Sequence, residues 1–370
     1  MKSLIINKED LRHNINIIKE LTKPDILDNN DEKYKIIGVV KGNGYGLGLI
    51  EYSKFLIDNG IECIAVATVE EAVALRKAGI KEDILMISSI SLKEDLETLI
   101  NSDIIISIGS KECADIVKTL KNKRIRAHIK IDTGFGRYGF LYNDIKTIVS
   151  AIKSLTNVSI EGIYSHFSLA YYKNNKWTQK QFNRFIDVIE ALNLNNINIK
   201  TMHICNSPAF LNYPRMHLNS ARIGSAFLGR VDSQNNIGLK KIGKLKTNIT
   251  EIKTVPKGYN IGYLNCYKTK KETKIAIIQV GYMDGYNITL KSDMFRIVDK
   301  LRGISQSIKK CLKKDTLKVI INNKRYNVIG KVGMYHMTID ITDSNIKLND
   351  MVYLDVNPLH VDGKIRREYI

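Results

Sequence analysis

The sequence predicts an α/β fold, a (β/α)8 TIM-type barrel followed by a C-terminal all-β domain. Three observations carry this. From about residue 10 to 240, short apolar runs alternate with segments of helical spacing. Beyond that the texture changes to period-two strands joined by tight turns. A chain of 370 residues with 44% apolar content is enough for a sizeable core and too much for one small domain.

KEDLRHNINIIKEL (8–21) and TVEEAVALRKAG (68–79) carry apolar residues at helical spacing. Between such segments lie KIIGVV, CIAVA, DILMIS, DIIISI, RAHIKI, EGIYSHF and IKTMHIC, many followed closely by Gly, Asn, Asp or Ser. Continuous apolar runs of this length read as parallel strands covered on both faces. These seven, with an eighth in SARIGSAFLG (220–229), suit a closed barrel better than an open sheet. No repeat of solenoid period is visible. After about residue 240, LKTNITEIKTVPKGY, YNIGYLNCYKT, TKIAIIQVGY, TLKVIINNKRYNVIG and MTIDIT read as strands. The expected domains are therefore 1–240 and 241–370, with residues 1–9 a candidate strand partner of the second. KSDMFRIVDKLRGISQSIKKCLKKD (291–315) reads as a basic helical insertion in the β domain.

No apolar run approaches membrane-spanning length, which predicts a soluble, cytoplasmic protein. The five cysteines include no C-x-x-C pair, so reduced thiols and no metal site are expected. The net charge of +19 raises nucleic-acid binding. The lysines are spread along the chain, however, and no aromatic residues interleave with the clusters at 268–274 and 309–318. A general Lys, Ile and Asn bias accounts for the charge, and nucleic acid is not an expected partner.

The sharpest local signal is GVVKGNGYGLGLI (38–50). Glycines fall at 42, 44, 46 and 48, which fits neither G-x-G-x-x-G nor a phosphate loop, where the lysine follows the glycines. Lys41 instead ends an apolar strand, where a barrel keeps its functional residues. A partly desolvated lysine is a nucleophile toward carbonyls, and the flanking glycines leave room for a flat ligand. Such a lysine suits pyridoxal phosphate. A strand-end lysine facing solvent is the alternative, and from this stretch alone both readings stand.

GVVKGNGYGLG resembles the VVKANAYGHG signature of alanine racemases, in which the lysine carries the cofactor covalently. The likeness continues along the chain. HIKIDTGFGRYGF (128–140) resembles LKVDTGMGRLG, EGIYSHFSLA (161–170) resembles GLYTHFA, and HICNSPAF (203–210) resembles H-x-x-N-S-A-A. SARIGSAFLG resembles V-R-P-G-I-A-L-Y-G, and VPKGYNIGY and IIQVGYMDGY resemble the start of the family's β domain.

The resemblance implies a PLP-dependent amino-acid racemase that interconverts L- and D-alanine, supplying D-alanine for peptidoglycan. It implies two acid–base groups on opposite faces of Cα, Lys41 and Tyr263. Tyr263 would come from the partner subunit of a homodimer, with His166 in its polar support. Arg222 would point at the pyridine nitrogen; because arginine only donates, that nitrogen would stay unprotonated and transamination would be suppressed. Gly224, Ser225, Ser207, Tyr45 and Tyr369 would hold the phosphate. Arg137 and the backbone of Met334 would hold the substrate carboxylate, and Lys130 falls where many members carry a carbamylated lysine.

Several positions depart from the family pattern. Leu47 stands where YGHG has histidine, Pro208 where the family has alanine, and Gly333, Met334 and Tyr335 where it has C-M-D near the substrate entrance. No arginine follows GYMDGY in the adjacent positions. Beside the alanine reading, these changes raise the hypothesis that cofactor chemistry is retained while substrate range, toward serine, lysine or ornithine, or rate has moved; a non-racemase PLP protein of the same fold is the other alternative.

Overall fold

The structure is a computed structural model that describes residues 2–22, 34–120, 124–231, 237–288 and 317–370, with six more between 297 and 305. The basic insertion expected at 291–315 lies largely outside the described residues. The chain divides into two compact units, Lys8–Ile242 and a second made of Met1–Asn7 with Gly243–Ile370.

In the first unit, eight parallel strands form a closed ring. Lys35–Val39, Cys63–Val66, Asp83–Ser89, Ile105–Ile108, Ile125–Asp132, Val158–Tyr164, Thr201–His203 and Ser220–Ile223 pair in that order, and the last pairs back onto the first. All eight apolar runs of the sequence contribute a strand, so the barrel expectation holds. Helices with one apolar face separate most of them; Val69–Lys77, for example, starts where the Thr68 hydroxyl accepts from the Glu71 N–H and buries Ala72 and Leu75. Ile37, Val39, Cys63, Ala65, Leu85 and Ile105 pack inside the ring, each worth roughly 1–3 kcal/mol of burial for its apolar side chain.

The second unit is antiparallel. The twelve-residue strand Lys244–Val255 pairs at one end with Met351–Asp355 and at the other with Thr273–Ile278, with a register shift between Ile249 and Glu251. Lys318–Ile321, Lys324–Ile329 and Met337–Asp340 complete a ring between those two partners. Ser3–Ile6 joins its edge, antiparallel to Lys244–Val255 and parallel to Arg366–Tyr369. One local expectation fails. YNIGYLNCYKT is not a regular strand: Tyr263–Asn265 is a 3-10 turn entered through Gly262 at φ 73°, with Leu264 at φ 63°. The two positive φ values break the extended geometry that the alternating pattern suggested.

No helix among the described residues is long and apolar enough to cross a membrane.

Candidate active site

The carboxyl ends of the barrel strands surround a cavity of about 410 Å³. Nine residues nominated from the sequence line it: Lys41, Tyr45, Lys130, Arg137, His166, Ser207, Arg222, Gly224 and Ser225. Tyr263, Met334 and Tyr369 belong to the other unit. The cavity walls hold two lysines and two arginines and, among the described lining residues, no carboxylate.

Lys41 opens a turn in which Gly42, Asn43, Gly44 and Tyr45 all have positive φ, between 53° and 65°. A left-handed turn costs an ordinary residue about 1–2 kcal/mol, so glycine at alternate positions removes half of the strain. Glu71 ties the turn down: one carboxylate oxygen accepts from the Asn43 N–H at 3.1 Å, the other from the Ala67 N–H at 3.3 Å. Burial lowers the Lys41 pKa, the charges of Arg137 and Arg222 lower it further, and Glu71 opposes them. The amine is thereby biased toward its neutral, nucleophilic form.

Lys130, on the strand Ile125–Asp132, is buried with Nζ 3.2 Å from the Ile87 carbonyl and over the rings of Tyr138 and Tyr164. Burial, then Arg222 and Arg137, bring its pKa down to about 7 against the pull of Asp132. The Asp132 carboxylate accepts from the backbone N–H groups of Gly134, Phe135, Gly136 and Arg137 at 2.8–3.2 Å. Burial alone would raise its pKa; these bonds outweigh that and lower it. They fold the GFGR loop and place Arg137, whose guanidinium sits 4.3 Å from the Phe135 ring centroid.

Arg222 is buried at the end of Ser220–Ile223. Its Nη1 donates to His203 Nδ1 at 2.6 Å and its Nη2 to the Ser165 carbonyl at 2.7 Å and His166 Nδ1 at 3.0 Å. Every acceptor it meets among the described residues is neutral, so the charge is not cancelled by a carboxylate, and Nε–H has no partner among the described residues. Burial, followed by Arg222, holds both His166 and His203 well below the usual histidine pKa, hence neutral.

Gly224 and Ser207 form a small cradle. Ser207 Oγ accepts from the N–H groups of Gly224 at 3.0 Å and Ala226 at 3.2 Å. A Cβ at position 224 would lie 2.6 Å from the Tyr45 hydroxyl, so glycine is what lets that hydroxyl approach the backbone. Burial pushes the Tyr45 pKa up to about 12, which keeps the phenol a donor at neutral pH.

In the second unit Tyr263 is 67% exposed. Its ring adjoins Gly333, where a Cβ would sit 3.5 Å from Cε2. The 333–334 segment is fixed by backbone bonds from the Tyr282 N–H to the Gly333 carbonyl and from the Met283 N–H to the Met334 carbonyl, both 3.1 Å. Tyr369 lies on the edge strand Arg366–Tyr369.

Motif reading missed Tyr138, Tyr164, Tyr171, Asn206 and the loop anchor Glu71. Asn206 stands inside HICNSPAF and could have been found there. Tyr164 stands inside EGIYSHF, a run that reads simply as apolar strand, and nothing in its spacing marks it.

Fold and cavity together define a barrel enzyme whose chemistry sits at the strand carboxyl ends, with a softened lysine in a site made for an anionic ligand. Comparison with known proteins sharpens this. The chain matches the family description "Alanine racemase, N-terminal domain" over residues 6–231 and "Alanine racemase, C-terminal domain" over 242–362. It is 32% identical over 357 residues to an alanine racemase of Methanococcus maripaludis, covering 94% of this chain and 87% of that one. It is 35% identical over 375 residues to one of Clostridium novyi, covering 97% and 87%. Among solved structures, an alanine racemase of Clostridium difficile 630 superposes with a TM-score of 0.79 at 29% identity, covering 99% and 88%. One from Bacillus anthracis with bound L-Ala-P gives 0.81 at 26% identity, covering 100% and 95%. The chain belongs to the alanine racemase family of isomerases.

Proposed function

We propose that the protein is a pyridoxal-phosphate-dependent racemase that interconverts L- and D-alanine by a two-base mechanism, and so supplies D-alanine for peptidoglycan. The observation that carries this is the cationic cavity lined by Lys41, Lys130, Arg137 and Arg222, with the Nη1 and Nη2 groups of Arg222 held by neutral acceptors and its Nε–H without a partner among the described residues. The residues present fit the cofactor. The cradle of Ser207, Gly224, Ser225 and Tyr45, closed to any Cβ at 224, suits a phosphate dianion. Tyr369 of the edge strand is a further phosphate hydroxyl in this reading. When bound, pyridoxal phosphate supplies an electron sink that acidifies the substrate Cα–H.

The chain's own residues do the rest. Lys41, softened by burial, holds the cofactor in the resting enzyme; once free, its neutral amine takes a proton from one face of Cα. The Tyr263 hydroxyl gives or takes a proton at the opposite face. Arg222 only donates, so it would hold the cofactor's ring nitrogen unprotonated and favour return of a proton to Cα over transamination. Its bond to His166 Nδ1 fixes that ring within the same network. Arg137 and the Met334 backbone orient the substrate carboxylate. Lys130, half neutral near pH 7, is suited to add to carbon dioxide: an N–C bond forms, a proton leaves to solvent, and the anionic product pairs with Arg137.

Tyr263 stands exposed among Leu264, Tyr282, Met283, Met334 and Tyr335, all exposed themselves. Contiguous apolar exposure of this kind marks an interface. Our reading is a homodimer in which each subunit lends Tyr263 to its partner. Mixing Lys41→Ala with Tyr263→Phe tests it: reassorted dimers contain one intact site, so activity returns to about a quarter of wild type. Two dead proteins that stay dead on mixing would refute shared sites.

The reaction is tested by chiral chromatography of the purified protein with pyridoxal phosphate and L-alanine, L-serine, L-lysine or L-ornithine. D-alanine appearing fastest supports the reading. A faster product from another amino acid moves the substrate and points to Gly333, Met334 and Tyr335. No D-product from cofactor-loaded protein overturns it.

A further inference from the structure

Behind Arg222 a line of hydrogen bonds runs into the barrel interior. Arg222 Nη1 donates to His203 Nδ1 at 2.6 Å, and His203 Nε2 lies 2.9 Å from His128 Nδ1. Both histidines are fully enclosed. Arginine has no lone pair to offer, so His203 Nδ1 must accept. His203 then carries its proton on Nε2 and donates it to His128 Nδ1, which leaves the His128 proton on Nε2. One donor at the mouth of the barrel thus sets the tautomers of two rings below it.

The surroundings are shaped for this arrangement. The His203 ring stacks on Tyr164 with centroids 4.9 Å apart and planes 5° from parallel. Tyr164 is itself pinned through its hydroxyl, which donates to the Ile87 carbonyl at 2.9 Å and lies 2.7 Å from Ser107 Oγ. His128 meets His203 edge-on at 5.1 Å. On the neighbouring strand a Cβ at Gly162 would lie 2.5–2.7 Å from three atoms of the His128 ring. That strand forgoes a side chain at the one place where His128 needs room.

We infer that His128 is a positioning residue for Arg222: by accepting from His203 it locks the guanidinium so that Nε–H is the donor left for the ligand in the cavity. This rests on the function proposed above. Without an acceptor at 128, His203 can exchange tautomers or turn. Nδ1–H would then face Arg222 donor to donor, and the guanidinium would rotate away.

Two replacements separate this role from simple packing. His128→Asn can place an amide oxygen near the position of Nδ1 and keep an acceptor; His128→Leu fills similar space without one. Each is loaded with pyridoxal phosphate and compared by cofactor dissociation (fluorescence), by the 15N shift of labelled ring nitrogen, and by pyruvate released per D-alanine formed. Pyruvate reports transamination, in which the substrate's amino group passes to the cofactor and the keto acid leaves. For His128→Leu we expect kcat to fall about tenfold with KM little changed, pyruvate per turnover to rise about tenfold, and the ring-nitrogen shift to move; His128→Asn should restore all three to within about threefold. Equal losses in both variants, or wild-type behaviour of His128→Leu, would overturn the inference. A measurement needing no variant is the tautomer state in 15N-histidine-labelled wild type without cofactor. His203 protonated on Nε2 and His128 unprotonated on Nδ1 support the relay; either reversed sinks it. If wild type makes no D-product, the proposed reaction fails, while the tautomers still decide the relay.

Discussion

The two ends of the barrel each hold an arginine, and they are built on opposite principles. At the amino ends of the strands, Arg126 meets Glu161 through Nε and Nη2 at 2.7 and 2.9 Å and Asp83 at 2.8 Å. Its charge is answered within the fold, and those bonds, led by Glu161, raise its pKa against burial. At the carboxyl ends, Arg222 is more deeply buried yet has only neutral acceptors, and burial lowers its pKa to about 10. Lys41, Lys130 and Arg137 share its cavity without a carboxylate among the described lining residues. Burying cations without anions is costly, and a fold that does so keeps the charge for something else to neutralise. One end of the barrel serves stability and the other serves a ligand.

The sharpest way to break this contrast is Lys41→Ala. If the carboxyl end is functional, racemisation should fall by about 10³-fold or more, with little change in melting temperature. Borohydride reduction followed by peptide mass mapping should lose its pyridoxyl mark. A variant retaining a tenth of wild-type turnover would remove Lys41 from the centre of the mechanism.

Arg126→Ala should do the reverse. Two partly buried carboxylates lose their donor, so denaturant unfolding should show a loss of about 2 kcal/mol. Turnover per folded molecule should stay within about twofold, since nothing in the cavity touches Arg126. Gly224→Ala is the smaller perturbation at the other end. Its methyl group must displace the Tyr45 hydroxyl, 2.6 Å away, and cofactor affinity should weaken about tenfold in a fluorescence titration. Unchanged affinity would mean that the cradle does not hold the phosphate.

The same contrast explains what the sequence disclosed. Barrel strands such as Lys35–Val39 and Cys63–Val66 are legible because burial on both faces leaves an unbroken apolar run. Lys41 stood out because a cation ending such a run among alternate glycines breaks the pattern. Arg222 and Tyr263 needed resemblance, since an arginine before Gly-Ser or a tyrosine in a β-like stretch has many ordinary uses. Glu71 and His128 were not legible at all. Glu71 works by accepting two backbone N–H groups from a loop 28 residues earlier and from its own helix entry, and His128 by a neighbour 75 residues away. Roles that exist only through such three-dimensional pairings leave no spacing to read. The turn at Tyr263 misled for a related reason: apolar and polar residues alternate there, but Gly262 and Leu264 take positive φ.

Lys130 gives the subtlest test, because its effect depends on pH. Its pKa is about 7 in the folded chain and an ordinary 10.5 when unfolded. Between those values the unfolded chain binds the proton and the folded chain does not, so stability from this group rises as pH climbs through the window. The slope cannot exceed about 1.4 kcal/mol per pH unit for one group. In carbon-dioxide-free buffer, wild type should therefore gain on Lys130→Met between pH 7.5 and 9.5, measured by denaturant unfolding at each pH. Bicarbonate should leave that slope in place and raise the whole wild-type curve, since a carbamate binds to the folded chain alone and, like the neutral amine, lacks the proton that the unfolded ammonium carries; 13C-bicarbonate should give a carbamate resonance that Lys130→Met lacks. Parallel stability curves in carbon-dioxide-free buffer would show that the charge of Lys130 is answered within the fold after all, and would erase the difference between the two ends of the barrel at that residue.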